Sequence, residues 1–326
     1  RTVQTVFFGG GTPSLFPPEA IDRFLQLASA RLRFAPNAEI TLETNPGTVE
    51  HGPFAGYRAA GVNRLSFGVQ SFDDDLLHAL GRVHSAGQAH AAVDEARRCF
   101  DTWNLDLMYA LPGQTLARFD ADLSTALALA PPHLSVYHLT IEPNTLFAAQ
   151  PPAGLPDEDL AFEMLDLISA RSAAAGLERY EVSAYARPGQ RCAHNLNYWQ
   201  FGDYLGIGAG AHSKLSFPHR VVRQVRYRDP AKYMAQAMAG QAVAQHDEVP
   251  RKQLPFEFML GALRLREGFE VARFSERTGL PWSAVHATLA QAQQRGWVEL
   301  SATQVVPTAT GYDFLNDLQA LFLADN

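Results

Sequence analysis

The sequence predicts an α/β fold built on a parallel sheet, followed by a small C-terminal α+β domain. Three observations predict it. Apolar β-branched runs alternate with stretches of helical spacing, five times in succession. Glycines and polar residues recur at the C-terminal ends of those runs. From about Tyr180 the alternation stops, and from about residue 254 helices are followed by a short hairpin.

Each element has its own signal. Val3 to Phe8 reads as a buried strand and ends in Gly9-Gly10-Gly11-Thr12-Pro13. Glycine has no Cβ to hold a ligand away, and Pro13 stiffens the loop. A tight strand-to-helix turn without a ligand is the other reading of these five residues. Pro17 and Pro18 sit where a helix begins, with Ile21, Phe24, Leu25, Ala28 and Leu32 at helical spacing. Glu39 to Leu42 is the second strand and leads into Glu43-Thr44-Asn45-Pro46-Gly47. A short helix is expected near 53–60, closed by Gly61. Arg64 to Val69 is the third strand, ending in Gln70-Ser71. Ser71 is the expected N-cap of a helix with Asp73, Asp74 and Asp75 in its first turn and Gly81 at its end. Ser85 caps the next helix. Asn104 to Leu111 and His133 to Thr140 are the fourth and fifth strands, flanking a helix capped by Thr115. Asp157 begins a longer helix that ends before Gly176.

Beyond it, Glu181 to Tyr185 reads as a strand, and Cys192 to Ser213 shows no helical period. Val221 to Tyr227 alternates as a hairpin strand, and about Gln241 to Gln253 reads as a polar linker. The last segment predicts helices around Phe258–Leu265, Val271–Thr278 and Pro281–Arg295. A hairpin follows at Trp297-Val298 and Val305-Val306, then one final helix over Gly311–Leu323. This is winged-helix order. Its third helix offers mainly Gln291, Gln293, Gln294 and Arg295, without a dense basic stripe, so DNA binding is not expected.

Composition narrows the class. The chain has 326 residues, 47% hydrophobic and 19% charged, ordinary for a soluble enzyme with a sizeable core. A net charge of −7 argues against general nucleic-acid affinity. No apolar run approaches the roughly 20 residues that span a bilayer, and no signal-peptide pattern is present. Two distant cysteines, Cys99 and Cys192, exclude a disulfide scaffold and suit a reducing, cytoplasmic setting. The chain opens with Arg1 and is in a strand by its third residue, so the expectation is that it is the remainder of a longer protein.

The polar groups converge if the strands are parallel, because strand C-termini then share one rim. That rim would collect the glycine loop with Thr12, then Glu43 and Asn45, Gln70, Asp106 and Glu142. Period two sets Asn104, Asp106 and Met108 on one face of the fourth strand, opposite Leu105, Leu107 and Tyr109. Asp106 is the hardest to dismiss, because burying an unpaired carboxylate is costly. Such a set suits a ligand with an ammonium group and a ribose. A barrel and an open doubly wound sheet both fit this pattern. A Rossmann site fits poorly, since no Gly-x-Gly-x-x-Gly follows a strand with an acidic residue about 20 positions on.

Four strings carry a resemblance: Phe7-Phe8-Gly9-Gly10-Gly11-Thr12-Pro13-Ser14-Leu15, Glu43-Thr44-Asn45-Pro46-Gly47-Thr48, Arg64 to Phe72, and Asn104 to Thr115. They resemble the radical S-adenosylmethionine (SAM) enzymes of the oxygen-independent coproporphyrinogen III oxidase group. The stretch His194-Asn195-Leu196-Asn197-Tyr198-Trp199 is similar to the H-N-x-x-Y-W motif of that group's heme-chaperone branch, as are Asp203 to Ser213 and Glu257 to Gly268. The resemblance covers essentially the whole chain.

It implies a partial (β/α)6 TIM-like barrel with a small winged-helix-like C-terminal domain. Residues 1–180 would be the barrel without its first strand and cluster loop, 181–250 an extension with the H-N-x-x-Y-W motif and a linker, and 251–326 the C-terminal domain. The Gly9–Thr12 loop, with Gly10, Gly11 and Thr12, would meet the SAM amino group through backbone, and Glu43 would hold the same end. Gln70 and Asp106 would contact the ribose, and Arg82 would pair with the SAM carboxylate. Ala110 departs from the oxidases, which have Gly there. His194 is the candidate axial heme ligand; no catalytic residue is assigned.

The family also holds a 4Fe–4S cluster on C-x-x-x-C-x-x-C, and no such motif occurs in these residues. The expectation is that it lies before Arg1, truncated, cleaved or disordered, and that this chain alone does not cleave SAM by the family mechanism. The function implied is a heme chaperone that binds heme and SAM and delivers heme to apo-proteins such as respiratory membrane enzymes. It would be cytoplasmic, membrane-associated only through a client, with homodimerisation open and no nucleic-acid partner. The alternative is a coproporphyrinogen III oxidase of porphyrin biosynthesis.

Overall fold

The computed structural model describes residues 1–47, 54–143 and 146–323. Thr48 of the resemblance and the first residue of the helix expected at 53–60 lie outside the described residues. The chain divides into two compact units, Arg1–His194 and Asn195–Asn326.

The first unit runs β1 (Val3–Phe8), α1 (Pro18–Ser29), β2 (Phe34–Thr44), α2 (Phe54–Ala59), β3 (Arg64–Gln70), α3 (Asp74–Ala79), α4 (Ala86–Cys99), β4 (Trp103–Tyr109) and α5 (Leu116–Ala128). It continues through β5 (His133–His138), α6 (Leu146–Ala149), α7 (Glu158–Ala174), β6 (Glu178–Arg179) and β7 (Ala184–Ala186). The sheet order is β1-β2-β3-β4-β5-β7-β6. Strands β1 to β5 are parallel, and β7 and β6 continue the sheet antiparallel. Strictly sequential order separates the two topologies left open above. A doubly wound sheet reverses direction at a switch point, whereas a barrel winds one way. Here Val6, Phe8, Ile40, Leu42, Leu65, Phe67, Leu105, Leu107, Leu134 and Val136 all pack into one core with residues of α1, α2, α4, α5 and α7. The helices therefore cover a single face, as in a partial barrel. Burying each of the fully enclosed ones, such as Leu42, Leu65, Phe67, Leu105 and Leu107, contributes roughly 1.5–3 kcal/mol.

Caps account for where most helices begin. Ser85 and Gln88 form a capping box on α4, Thr115 caps α5 and Asp157 caps α7. Ser71 is not the cap of α3. That role falls to Asp73, whose carboxylate accepts from the Asp75 and Leu76 N–H groups. Ser71 instead donates to Asp122 at 2.6 Å. The strand expected over Glu181–Tyr185 is shorter, because the Glu181 carboxylate accepts from the Ser183 N–H and hydroxyl and makes a turn first.

The second unit begins inside α8 (Ala193–Trp199), in the stretch expected to lack helix. The Glu39 carboxylate accepts from the N–H groups of Ala193 and His194 and so caps α8 from 154 residues away, a signal no local window carries. An antiparallel sheet follows, of β8 (His212–Phe217), β9 (Arg220–Arg226) and β10 (Val243–Glu248), with α9 (Pro230–Met238) between the last two. Strand β10 replaces much of the expected linker. Nearly all its side chains are exposed, so it has no apolar alternation to read.

The chain ends with α10 (Leu254–Ala262), β11 (Phe269–Glu270), α11 (Val271–Thr278), α12 (Ser283–Gln294), β12 (Val298–Leu300), β13 (Gln304–Pro307), α13 (Ala309–Asp313) and α14 (Leu315–Ala320). Three helices and the sheet β11-β13-β12 make the winged-helix arrangement around Phe258, Phe274 and Leu289. The single final helix is in fact two, broken at Phe314 (φ −101°, ψ 37°). Among the described residues, no helix is long and apolar enough to cross a membrane.

Candidate functional site

The face of the sheet away from the helices is polar. Alternation along β1 to β5 places Thr5, Phe7, Glu39, Thr41, Glu43, Arg64, Ser66, Asn104, Asp106, His133 and Ser135 there, opposite the core residues named above. At the C-terminal rim of this face is a cavity of about 250 Å³. It is lined by Gly10, Gly11, Thr12, Pro13, Glu43, Thr44, Asn45, Ser66, Gly68, Gln70, Arg82 and Asp106. The seven residues singled out as one binding set, Gly10, Gly11, Thr12, Glu43, Gln70, Arg82 and Asp106, thus meet in one place. Glu142 and His194 are not in that lining.

Backbone geometry sets the walls. Gly10 lies at φ +117°, a region side chains avoid, and its N–H donates to Glu43 Oε2 at 3.2 Å. A Cβ on Gly9 would stand 3.0 Å from that same oxygen, so glycine is what lets the Glu43 carboxylate approach the loop. The β3–β4 register slips between Phe67 and Gln70, and Gln70 itself has φ +69°. A bulge of this kind re-aims a side chain at a site rim. Ala110 is also left-handed, at φ +59°. Arg82 follows the turn at Gly81 that ends α3. His84, two residues on, ties this segment to β3, with Nε2 3.0 Å from the Val69 carbonyl.

The charges are unevenly solvated. Burial raises the Glu43 carboxyl above its ordinary value; the Gly10 N–H opposes this and nearby Asp106 adds to it. Burial likewise raises Asp106, against the hydrogen bonds that Asn104 and Ser66 donate to it. Arg82 is lowered by burial and raised by Asp106. Two carboxylates, one guanidinium, one amide and backbone donors can together hold a zwitterionic, hydroxylated ligand.

Ser66 and His133 escaped the sequence reading, whereas Asn104 was already placed on the face of Asp106. Ser66 donates to Asp106 Oδ2 at 3.3 Å, and Asn104 Nδ2 donates to Asp106 Oδ1 at 2.8 Å. His133 sits behind Asn104 at 2.6 Å. The period-two pattern Arg64, Ser66, Gly68, Gln70 on β3 and His133, Ser135 on β5 was the signal that could have found them.

His194 occupies a different part of the polar face. Its ring stacks on Phe7 at 4.7 Å, and its Nδ1 lies 3.1 Å from Thr5 Oγ1. Burial lowers its pKa. Beyond it, Asn197 Nδ2 donates to the Asp203 carbonyl, and the Arg264 guanidinium lies 4.2 Å from the Trp199 ring centroid.

The residues present do not fit a 4Fe–4S cluster. Cys99 ends α4, and buried Cys192 has its Sγ 3.6 Å from Glu39 Oε1; neither lines the cavity. Among the described residues, no three His, Cys, Asp or Glu side chains gather as a metal site.

Comparison with known proteins agrees with this architecture. Residues 1–126 match the radical SAM superfamily, and residues 249–314 match the HemN C-terminal domain. The heme chaperone HemW of Haemophilus influenzae is 44% identical, over 100% of this chain and 84% of its own length. HemW of Escherichia coli is 45% identical, over 100% and 85%. HemW of Bacillus subtilis is 32% identical, over 99% and 86%. Among solved structures, the E. coli coproporphyrinogen III oxidase HemN superposes with a TM-score of 0.79 at 24% identity, covering 99% of this chain and 78% of that one, which speaks to the fold. A parallel partial-barrel sheet, a winged-helix C-terminal segment and 44–45% identity to two of these relatives over the whole of this chain lead to one conclusion: the chain belongs to the HemW family of radical SAM proteins.

Proposed function

We propose that this protein is a heme chaperone that binds heme, carries a SAM site at the rim of its sheet, and hands heme to acceptor apo-proteins. The observation that carries the reading is the similarity, over the whole of this chain, to relatives named heme chaperone HemW. The cavity suits SAM by the chemistry of its donor set. In this reading the Gly10 and Gly11 backbone, Thr12 and Glu43 take the amino end, Arg82 takes the carboxylate, and Gln70 and Asp106 take the ribose. SAM, when bound, supplies a sulfonium group. Because the two cysteines present do not fit a cluster, no step is derived through one.

His194 is the axial-ligand candidate in the same reading. Its support is the imidazole donor and a pKa that burial keeps below the ordinary value, so the ring is neutral and able to ligate iron. The finer elements of the proposal are a respiratory membrane enzyme as client, a homodimeric state, membrane association through the client alone, and the functional division at 1–180, 181–250 and 251–326.

Two measurements test this. Heme titration of the His194→Ala protein is expected to lower affinity and shift the Soret band; an unchanged titration would remove His194 from the ligand role. Anaerobic incubation of the full-length, cluster-reconstituted protein with coproporphyrinogen III is expected to give no decarboxylated product, while the same protein binds added heme. Decarboxylated product would instead favour the oxidase reading, to which the HemN superposition lends a shared fold and nothing more.

A further inference from the structure

A buried line of polar side chains runs behind Asp106. Tyr180 and His133 are each 1% exposed, Ser135 2% and Asn104 4%. The Tyr180 hydroxyl lies 2.8 Å from His133 Nε2, and His133 Nδ1 lies 2.6 Å from Asn104 Oδ1. Asn104 Nδ2 donates to Asp106 Oδ1 and to Ser66 Oγ, both at 2.8 Å. Ser66 Oγ in turn donates to Asp106 Oδ2 at 3.3 Å. Buried polar side chains such as these are costly to keep unless each finds its partner.

The donors and acceptors can be ordered in one way when Asp106 is ionised. An inverted Asn104 amide would set its oxygen against a carboxylate oxygen at 2.8 Å, so Nδ2 must face Asp106 and Oδ1 must face His133. Oδ1 accepts from Ser135 Oγ at 3.0 Å and from the His133 Nδ1–H. His133 is then the neutral Nδ1–H tautomer, and its Nε2 accepts the Tyr180 proton. The Tyr180 oxygen accepts from the Cys192 backbone N–H at 3.4 Å, which anchors the far end of the line. The polarity set at Tyr180 thus reaches Asp106 as two hydrogen bonds, one on each oxygen. Burial holds His133 well below its ordinary pKa, which keeps it neutral at physiological pH.

We propose that His133 is a positioning residue of the cavity: through Asn104, with its tautomer set by Tyr180, it fixes Asp106 as the acceptor for the vicinal hydroxyls of a bound SAM ribose. This rests on reading the cavity as a SAM site. Within this line of residues only Asp106 touches the ligand; His133 and Tyr180 act through it.

Calorimetric titration of the full chain separates the two claims, with SAM and its 2′,3′-dideoxyribose analogue as probes. The wild-type protein is expected to bind SAM and to prefer it over the analogue. His133→Phe and Tyr180→Phe are each expected to bind SAM about tenfold more weakly, the scale of a hydrogen bond to a charged group, yet to bind the analogue as the wild type does. Equal losses for both ligands, or none, would overturn the positioning role. A wild type that binds neither ligand would overturn the SAM reading itself. Nitrogen-15 spectra of the unmutated protein test the same point without any variant. A neutral Nδ1–H tautomer is expected at His133, and an Nε2–H tautomer or an imidazolium would contradict the proposal.

Discussion

Burial raises the carboxyls of both Asp106 and Glu43, but the two are held differently. Asp106 receives side-chain hydrogen bonds on both oxygens, whereas Glu43 is held by the N–H of a glycine loop. Replacing Asp106 by Asn turns one accepting oxygen into a donor. It is expected to weaken SAM binding by about tenfold or more, read by calorimetry. Acidity gives a second prediction. Burial holds His84, His133 and His194 below the ordinary value of 6.5. Their unfolded forms take up protons first, so the stability they carry is complete above about pH 6.5 and is lost as pH falls through the folded values. The raised carboxyls Glu43, Asp106 and Asp122 act in the opposite sense, since the folded protein binds more protons in their window above 4.5 and 3.8. The difference between wild type and His133→Phe isolates the histidine. Between about pH 7 and 5.5 the Tm of the variant should fall less than that of the wild type; parallel curves would refute this. Asp106 was legible because an acid in an apolar strand is conspicuous. His133 was not, since its partners Asn104 and Tyr180 lie 29 and 47 residues away.

Elements were legible where the cause of order was local. Ser85, Thr115 and Asp157 start their helices as sequence alone indicates, because a cap and its N–H partners lie within one turn. Helix α8 and strand β10 were hidden for the opposite reason. One is capped by Glu39 from another element, and the other pairs with β9 while showing its side chains to solvent. The loop after α8 is ordered by a buried lysine. Lys214, with its side chain 3% exposed, donates to the carbonyls of Phe201 and Gly202 and lies 3.4 Å from Asp203 Oδ1. Burial lowers its pKa to about 8. Lys214→Met would leave those carbonyls without a donor and is expected to cost roughly 2–4 kcal/mol in urea unfolding. A change below about 0.5 kcal/mol would show that the lysine does not order this loop. In the winged-helix segment, Gly311→Ala would place a Cβ 1.8 Å from the Trp297 carbonyl oxygen. Backbone cannot yield as a side-chain end can, so a loss of about 3 kcal/mol is expected from the same measurement.

At the scale of the molecule, alternating strand and helix signals made the α/β class readable, and the rim motifs made the site readable. What they could not decide was barrel against doubly wound sheet, because both give the same local pattern. The sequential strand order with helices on one face decided it. That order is also what gathers Gly10, Glu43, Gln70, Arg82 and Asp106 into one cavity from segments far apart in the chain. Heme delivery is the claim furthest from any single residue, and transfer itself is its most direct measurement. The heme-loaded protein is mixed with an apo-heme protein, and the two Soret bands are followed in time. The expected result is that the acceptor band grows at the expense of the donor band, faster than heme escapes the protein when no acceptor is present. Heme that stays bound, or that leaves at the same rate with and without the acceptor, would contradict a chaperone function.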